Sequence, residues 1–117
     1  MSQEEIMMVL TNVPDSACAH LIAEALINGK LAACVNIMSP CLSVYSWQQQ
    51  LERTTEIPMM IKTTRHAYPA LQATLLKLHP YELPEIITLH VDGGLPAYLQ
   101  WVTAQISQPH LPEQSQH

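Results

Sequence analysis

Phenylalanine is absent from the 117-residue chain, so any core must be aliphatic, with methionine filling its gaps. Basic residues are scarce. Five Lys and Arg against ten Asp and Glu give a formal net charge of −5 and a pI near 5.5. Nucleic-acid binding needs a clustered basic patch, and this chain has none. Attraction to anionic lipid is excluded on the same ground. No apolar run approaches the ~20 residues that span a bilayer. The opening Met1-Ser2-Gln3-Glu4-Glu5 is acidic where a secretory leader is basic, so the expected location is the cytoplasm. Cys18, Cys34 and Cys41 form no CxxC pair and leave an odd thiol, which excludes a disulfide framework or a zinc ribbon and leaves reduced thiols. A Gly-rich phosphate loop, an HExxH helix and a nucleophile elbow are all missing, and the chain is read as no enzyme.

What is present suits one domain over residues 1–106, followed by a polar, proline-containing tail at 107–117 whose His110 and His117 need no functional role. A chain of this size buries about two thirds of its unfolded surface. Six Met, six His and three Cys form a stock of soft and borderline metal ligands, which composition alone does not bring together.

The densest chemistry lies in His79-Pro80-Tyr81-Glu82-Leu83-Pro84-Glu85, where an imidazole, a phenol and two carboxylates sit among two prolines. Each proline fixes its own φ and pushes the residue before it towards extended geometry. The segment therefore reads as a connector that stops a helix and starts a strand. It also offers His79 and a carboxylate to a shared ligand.

Taken in order, Ile6–Val13 reads as a strand covered on both faces, its apolar run closed by Asn12 and Pro14. Asp15 or Ser16 offers an N-cap. Cys18, Leu21, Ile22, Ala25 and Leu26 then make one helical stripe, which ends at Asn28-Gly29. Cys18 reads as a small core residue. Two extended runs follow, 31–45 and 51–63, joined by 46–50. About 13 residues at ~3.4 Å each reach ~44 Å, whereas a compact chain of this length is ~35 Å across. Such a hairpin outruns its own domain: it projects bare edges or a neighbouring subunit completes it, and the second predicts an obligate oligomer. With the turn centred on Gln49, Pro40 falls opposite Pro58, so both arms should bend there. Tyr45, Trp47 and Leu51 read as interface anchors or as a local cluster steadying the turn.

Met59 and Met60 read as core. Tyr68, Leu71, Leu75 and Leu78 mark a second helix with Pro69 in its first turn. A strand at 86–91 places Ile87, Leu89 and Val91 on one face. Leu95, Leu99, Val102 and Ile106 mark a last helix carrying Tyr98 and Trp101. The order predicts an α+β, ferredoxin-like βαββαβ fold with a long hairpin and an additional C-terminal helix.

Five blocks carry a further likeness: Leu31-Ala32-Ala33-Cys34-Val35-Asn36-Ile37, Ser43-Val44-Tyr45-Ser46-Trp47, Glu56 with Ile61-Lys62-Thr63-Thr64, the His79–Glu85 segment, and Tyr98-Leu99-Gln100-Trp101. In this order and spacing they resemble the CutA divalent-cation tolerance proteins. The resemblance implies a cytoplasmic homotrimer held by its hairpin strands and an association with Cu(II) or another divalent cation. In some members copper binding is attributed to a Cys ending the first strand and to a His-His pair before Pro-Tyr. Here those positions hold Thr11 and Leu78-His79. His79 is thus the implied ligand, with Glu82 as an oxygen donor and the rest left to thiols or a second subunit.

A second function class is a sensing trimer. PII-type regulators share the subunit fold and assembly by analogy. Clefts between subunits would then gather Lys62, Tyr81, Glu85, Tyr98 and Trp101 around a small anion or a partner's side chain. Lys62 is the cationic candidate there, or simply a paired surface lysine.

Overall fold

The computed structural model describes residues 4–106, and the tail expected at 107–117 lies outside the described residues. The elements run β1 (Ile6–Val13), α1 (Ser16–Asn28), β2 (Cys34–Ile37), β3 (Cys41–Trp47), β4 (Gln50–Thr64), α2 (Tyr68–Leu78), β5 (Ile87–His90) and α3 (Pro96–Gln105). All five strands pair antiparallel, in the order β2-β4-β1-β5, with β3 on β4 beyond the others. The fold is α+β, and the expected βαββαβ connectivity holds with one arm of the hairpin divided in two.

One sheet face is roofed by α1 and α2. Val9 and Val13 of β1 and Ile57, Met59 and Ile61 of β4 meet Ala19, Ile22, Leu26, Leu71 and Leu75 in one aliphatic core. Strand alternation sends the intervening residues to the other face. There Met8 and Leu10 stand beside Leu89 and Ile87 of β5, which are 41% and 47% exposed. Met59 is core as expected. Met60 is only half-buried, because its register opposite Leu10 puts it on this second face, away from α1 and α2.

Local chemistry explains the helix ends. Asp15 Oδ1 accepts from the Cys18 amide at 2.8 Å and caps α1. At the other end the left-handed residue is Lys30 (φ 58°), while Gly29 keeps a helical φ of −80°. Leu31 N–H donates to Leu26 O and Lys30 N–H to Ile27 O, a Schellman closure one residue beyond the expected glycine. Leu21 is 55% exposed and leaves the predicted stripe. Cys18 is half-buried against the core, and burial pushes its thiol upward, aided by the Asp15 charge. α2 carries Leu71 and Leu75 inward, and the Thr64 hydroxyl accepts from Ala67 N–H before it. In α3, Val102 is buried, while Leu95 is a 70% exposed N-cap. Glu5 ties the start of β1 to Arg65 at 2.7 Å and to His90 at 2.5 Å. The Arg65 hydrogen bonds hold its carboxyl below the usual range.

The hairpin differs from expectation in its turn. It closes on two residues, Gln48 (φ 51°) and Gln49 (φ 69°), so that Trp47 faces Gln50. Positive φ at both positions is the type I′ signature, which matches strand twist. This centre shifts the register, and Pro40 does not face Pro58. Instead Met38, Ser39 and Pro40 stand across from Ile57 and Pro58, between the pairs Ile37–Met59 and Cys41–Glu56. The extra residue is a bulge at the proline. It splits the run 31–45 into β2 and β3, and Met38 N–H donates to Pro58 O at 2.9 Å. The predicted bend is therefore present in the first arm, while β4 runs unbroken for 15 residues.

That length shapes the molecule. Fifteen residues extend ~50 Å, and the chain measures 56 × 28 × 23 Å with a radius of gyration of 16.0 Å. A compact chain of about 100 residues would have ~13 Å. β3 and the first half of β4 project beyond the core, with Leu42 63%, Val44 54% and Leu51 63% exposed. The register puts these three on one face of the hairpin and Tyr45, Trp47, Thr54 and Glu56 on the other. Among the described residues no helix is long and apolar enough to cross a membrane.

Candidate functional site

Pro80 determines the geometry of the site's first residue. His79 ends α2 with ψ 130°, extended as a residue before proline must be, while its amide still donates to Leu75 O at 2.9 Å. This turn swings the segment past the end of β1. His79 is 7% exposed, and both of its ring nitrogens are engaged. Nε2–H donates to the Asn12 carbonyl at 2.8 Å, and Nδ1 accepts from the Tyr81 amide at 3.2 Å. Because a carbonyl can only accept and an amide N–H can only donate, the imidazole is the neutral Nε2–H tautomer.

Tyr81 lies tilted against His79, ring centroids 4.8 Å apart, and its hydroxyl donates to Glu56 Oε2 at 2.8 Å. Burial, reinforced by that hydrogen bond, pushes the phenol well above its ordinary value. Glu56 is 6% exposed at the root of the hairpin. Asn12, whose carbonyl takes the His79 N–H, also donates through Nδ2 to Glu85 Oε1 at 3.2 Å. The His79–Glu85 segment thus clips the end of β1 to the hairpin. Between them opens a hollow of about 670 Å³, whose walls include Tyr45, Trp47, Glu56, Tyr81, Glu82 and Glu85.

Of the residues singled out in the sequence, Tyr45, Trp47, Tyr81, Glu82 and Glu85 therefore converge, with His79 just behind them. Leu51 lies on the opposite hairpin face. Lys62 is elsewhere on β4, donating to Asn36 Oδ1 at 3.0 Å. Tyr98 and Trp101 stack on each other along α3, centroids 5.6 Å apart, and line no part of this hollow. Asn12, Ser43, Thr54 and Glu56 are polar wall residues that the sequence does not assign to a site, Ser43 and Glu56 entering only as parts of the family-like blocks. The signal for Glu56 was a carboxylate two residues before Pro58, where the hairpin leaves the core.

A divalent cation finds one fitting feature and several that do not fit. The Nε2–H to carbonyl bond of His79 is the arrangement that orients a metal-bound imidazole, leaving Nδ1 to ligate once the Tyr81 amide is displaced. Glu82 is exposed and offers oxygen. Thr11 is 1% exposed, and its hydroxyl has no hydrogen-bond partner among the described residues; a neutral hydroxyl is no substitute for a thiolate. Cys18, Cys34 and Cys41 are free thiols on α1, β2 and β3. Among the described residues no three His, Cys, Asp or Glu side chains group closely enough to hold a metal ion.

Comparison with known proteins points one way. The family model described as CutA1 divalent ion tolerance protein matches residues 7–105. The divalent-cation tolerance protein CutA of Thermus thermophilus is 42% identical over 95 residues, covering 81% of this chain and 92% of that one. Its counterpart in Pectobacterium atrosepticum is 37% identical over 102 residues, covering 87% and 93%. The crystal structure of CutA1 from Shewanella sp. SIB1 superposes with a TM-score of 0.87 at 37% identity, covering 92% of this chain and all of that one (100%). The chain belongs to the CutA1 divalent ion tolerance protein family.

Proposed function

We propose that the protein serves divalent-cation tolerance as a cytoplasmic, non-catalytic homotrimer, with copper among the cations it meets. One observation carries the assembly: a hairpin that projects past the core with Leu42, Val44 and Leu51 more than half exposed. A long, bare, apolar edge invites uncontrolled pairing unless a sister chain covers it. The exposed Ile87 and Leu89 of β5 support the same reading. Because hairpin and sheet face are unlike surfaces, their contact is heterologous and closes as a ring.

The cation reading rests on family membership and on His79. Its tautomer leaves Nδ1 as the ligating nitrogen, with Glu82 beside it in the same segment, and a sister chain would supply the remaining donors. Calorimetric titration of tag-free protein with Cu(II) tests this. His79→Ala should weaken binding at least about tenfold, as expected for loss of a ligand. An isotherm identical to wild type contradicts the role of His79. A parallel titration with Cu(I) separates imidazole and carboxylate ligation from ligation by the thiols.

A further inference from the structure

The chain contains three asparagines, Asn12, Asn28 and Asn36, and Asn28 alone precedes a glycine. An Asn side-chain amide can be attacked by the backbone nitrogen of the next residue, and glycine, without a Cβ, crowds that approach least. Asn12 and Asn36 are followed by the β-branched Val13 and Ile37. The chemistry therefore concentrates at Asn28-Gly29. Gly29 has an ordinary helical φ of −80°, so its backbone angles do not call for glycine. Space does. A Cβ on Gly29 would stand 3.0 Å from the Ala25 carbonyl oxygen. The tight end of α1 thus keeps a glycine behind the exposed Asn28. The same end also blocks the reaction, because Gly29 N–H donates to Ala25 O at 3.0 Å. A nitrogen engaged in the helix ladder is not free to lose its proton and bond to a side chain.

We propose that Asn28 is a latent deamidation site, held closed by the last turn of α1 and released when that turn frays. In the open turn Gly29 N loses its proton and bonds to Asn28 Cγ. The Cγ–Nδ2 bond breaks, and ammonia leaves with that proton. Water then opens the cyclic imide at either carbonyl, giving Asp or the isomer whose main chain runs through the side chain. The balance is water in and ammonia out, with one added negative charge and no oxidant or cofactor. Helix ends open before the core does, so the rate follows the population of the open turn. Conversion is one-way, and it damages the closure that restrained it. The new carboxylate lies at the negative end of the helix dipole, and the isomer adds a backbone methylene just before Gly29. Leu31 depends on that closure: its N–H donates to Leu26 O, and its carbonyl accepts from the Thr63 hydroxyl at 2.6 Å. Leu31 leads into β2, so the disturbance passes from α1 to the first arm of the hairpin. Neither the trimer nor the copper reading enters this inference.

Peptide mapping by mass spectrometry tests the proposal on the full chain, held at mildly alkaline pH with and without urea. In urea the peptide spanning Asn28-Gly29 gains the mass difference between Asn and Asp, while those carrying Asn12 and Asn36 lag behind. In the native protein the conversion is slower by at least about tenfold, the protection of a closed turn. Asp92-Gly93 can close the same ring by losing water, but regains it without a change of mass, so it does not enter the readout. Lys30→Gly relieves the left-handed residue of the closure (φ 58°) and slows native conversion further, leaving the rate in urea unaltered. Equal rates with and without urea, or a native rate indifferent to Lys30→Gly, overturns the gate. No conversion at Asn28 in urea overturns the site itself. The converted fraction, separated by its added charge, melts below the parent protein; an unchanged melt overturns the link to the closure. The urea comparison uses wild type alone, so it stands whatever the variant does.

Discussion

Thr11 and Tyr81 show how far a single side chain can be held to account. Thr11 Oγ1 is a buried hydroxyl without a partner among the described residues, and an unsatisfied polar group of this kind costs ~1–3 kcal/mol. Thr11→Val keeps the shape and removes the orphan, so it should stabilise the protein by ~1 kcal/mol in denaturant melts. A destabilised Thr11→Val would mean that the hydroxyl has a partner after all. Tyr81 works in the other direction. Tyr81→Phe leaves the buried Glu56 without its donor and should cost ~1.5–3 kcal/mol at neutral pH, the range for hydrogen bonds to charged groups. The phenol's pKa is raised in the folded state, first by burial and then by Glu56. Its contribution is therefore fully present below the unfolded value near 10 and is lost as pH rises towards the folded one. Wild type should weaken above about pH 10, and Tyr81→Phe should show a shallower alkaline limb. Identical limbs would contradict the assignment.

At the level of elements, the hairpin turn and the end of α1 hold non-glycine residues in left-handed backbone. Such positions cost ~1–2 kcal/mol each for an L-residue. Replacing Gln48-Gln49 by Asn-Gly should raise thermal stability, because that dipeptide is the preferred filling of a type I′ turn. Lys30→Gly should do the same by ~1 kcal/mol at the helix closure. Unchanged or lower melting temperatures would argue against the left-handed assignment. These same residues mark the limit of what was legible beforehand. The apolar run from Ile6, the Asp15 cap and the Leu71–Leu75 stripe announced β1, α1 and α2 through local pattern. Nothing in two glutamines announces positive φ, so the turn centre and the Pro40 register were misplaced by local rules. The site divides similarly. Prolines bracketing His79 and Tyr81 pointed to that segment, but Glu56 is buried by a phenol 25 positions away, a contact no periodicity encodes. Lys62, Tyr98 and Trp101 were grouped with it only by expectation of a cleft.

For the molecule as a whole, shape decides. The 56 Å long axis comes from a strand that outlasts the core roofed by α1 and α2. One of its faces exposes Leu42, Val44 and Leu51 among Ser46, Arg53 and Thr55, and the other carries Tyr45 and Trp47 with Glu56. If a sister chain covers the first face, Leu42→Glu with Leu51→Glu should break the assembly while far-ultraviolet circular dichroism keeps its helical signal. An intact assembly in that variant would move the interface elsewhere. The most direct measurement is sedimentation equilibrium of the wild-type chain at micromolar concentration. A single species of three times the 13.1 kDa chain mass is the predicted result. A folded, stable species of one chain mass would contradict it.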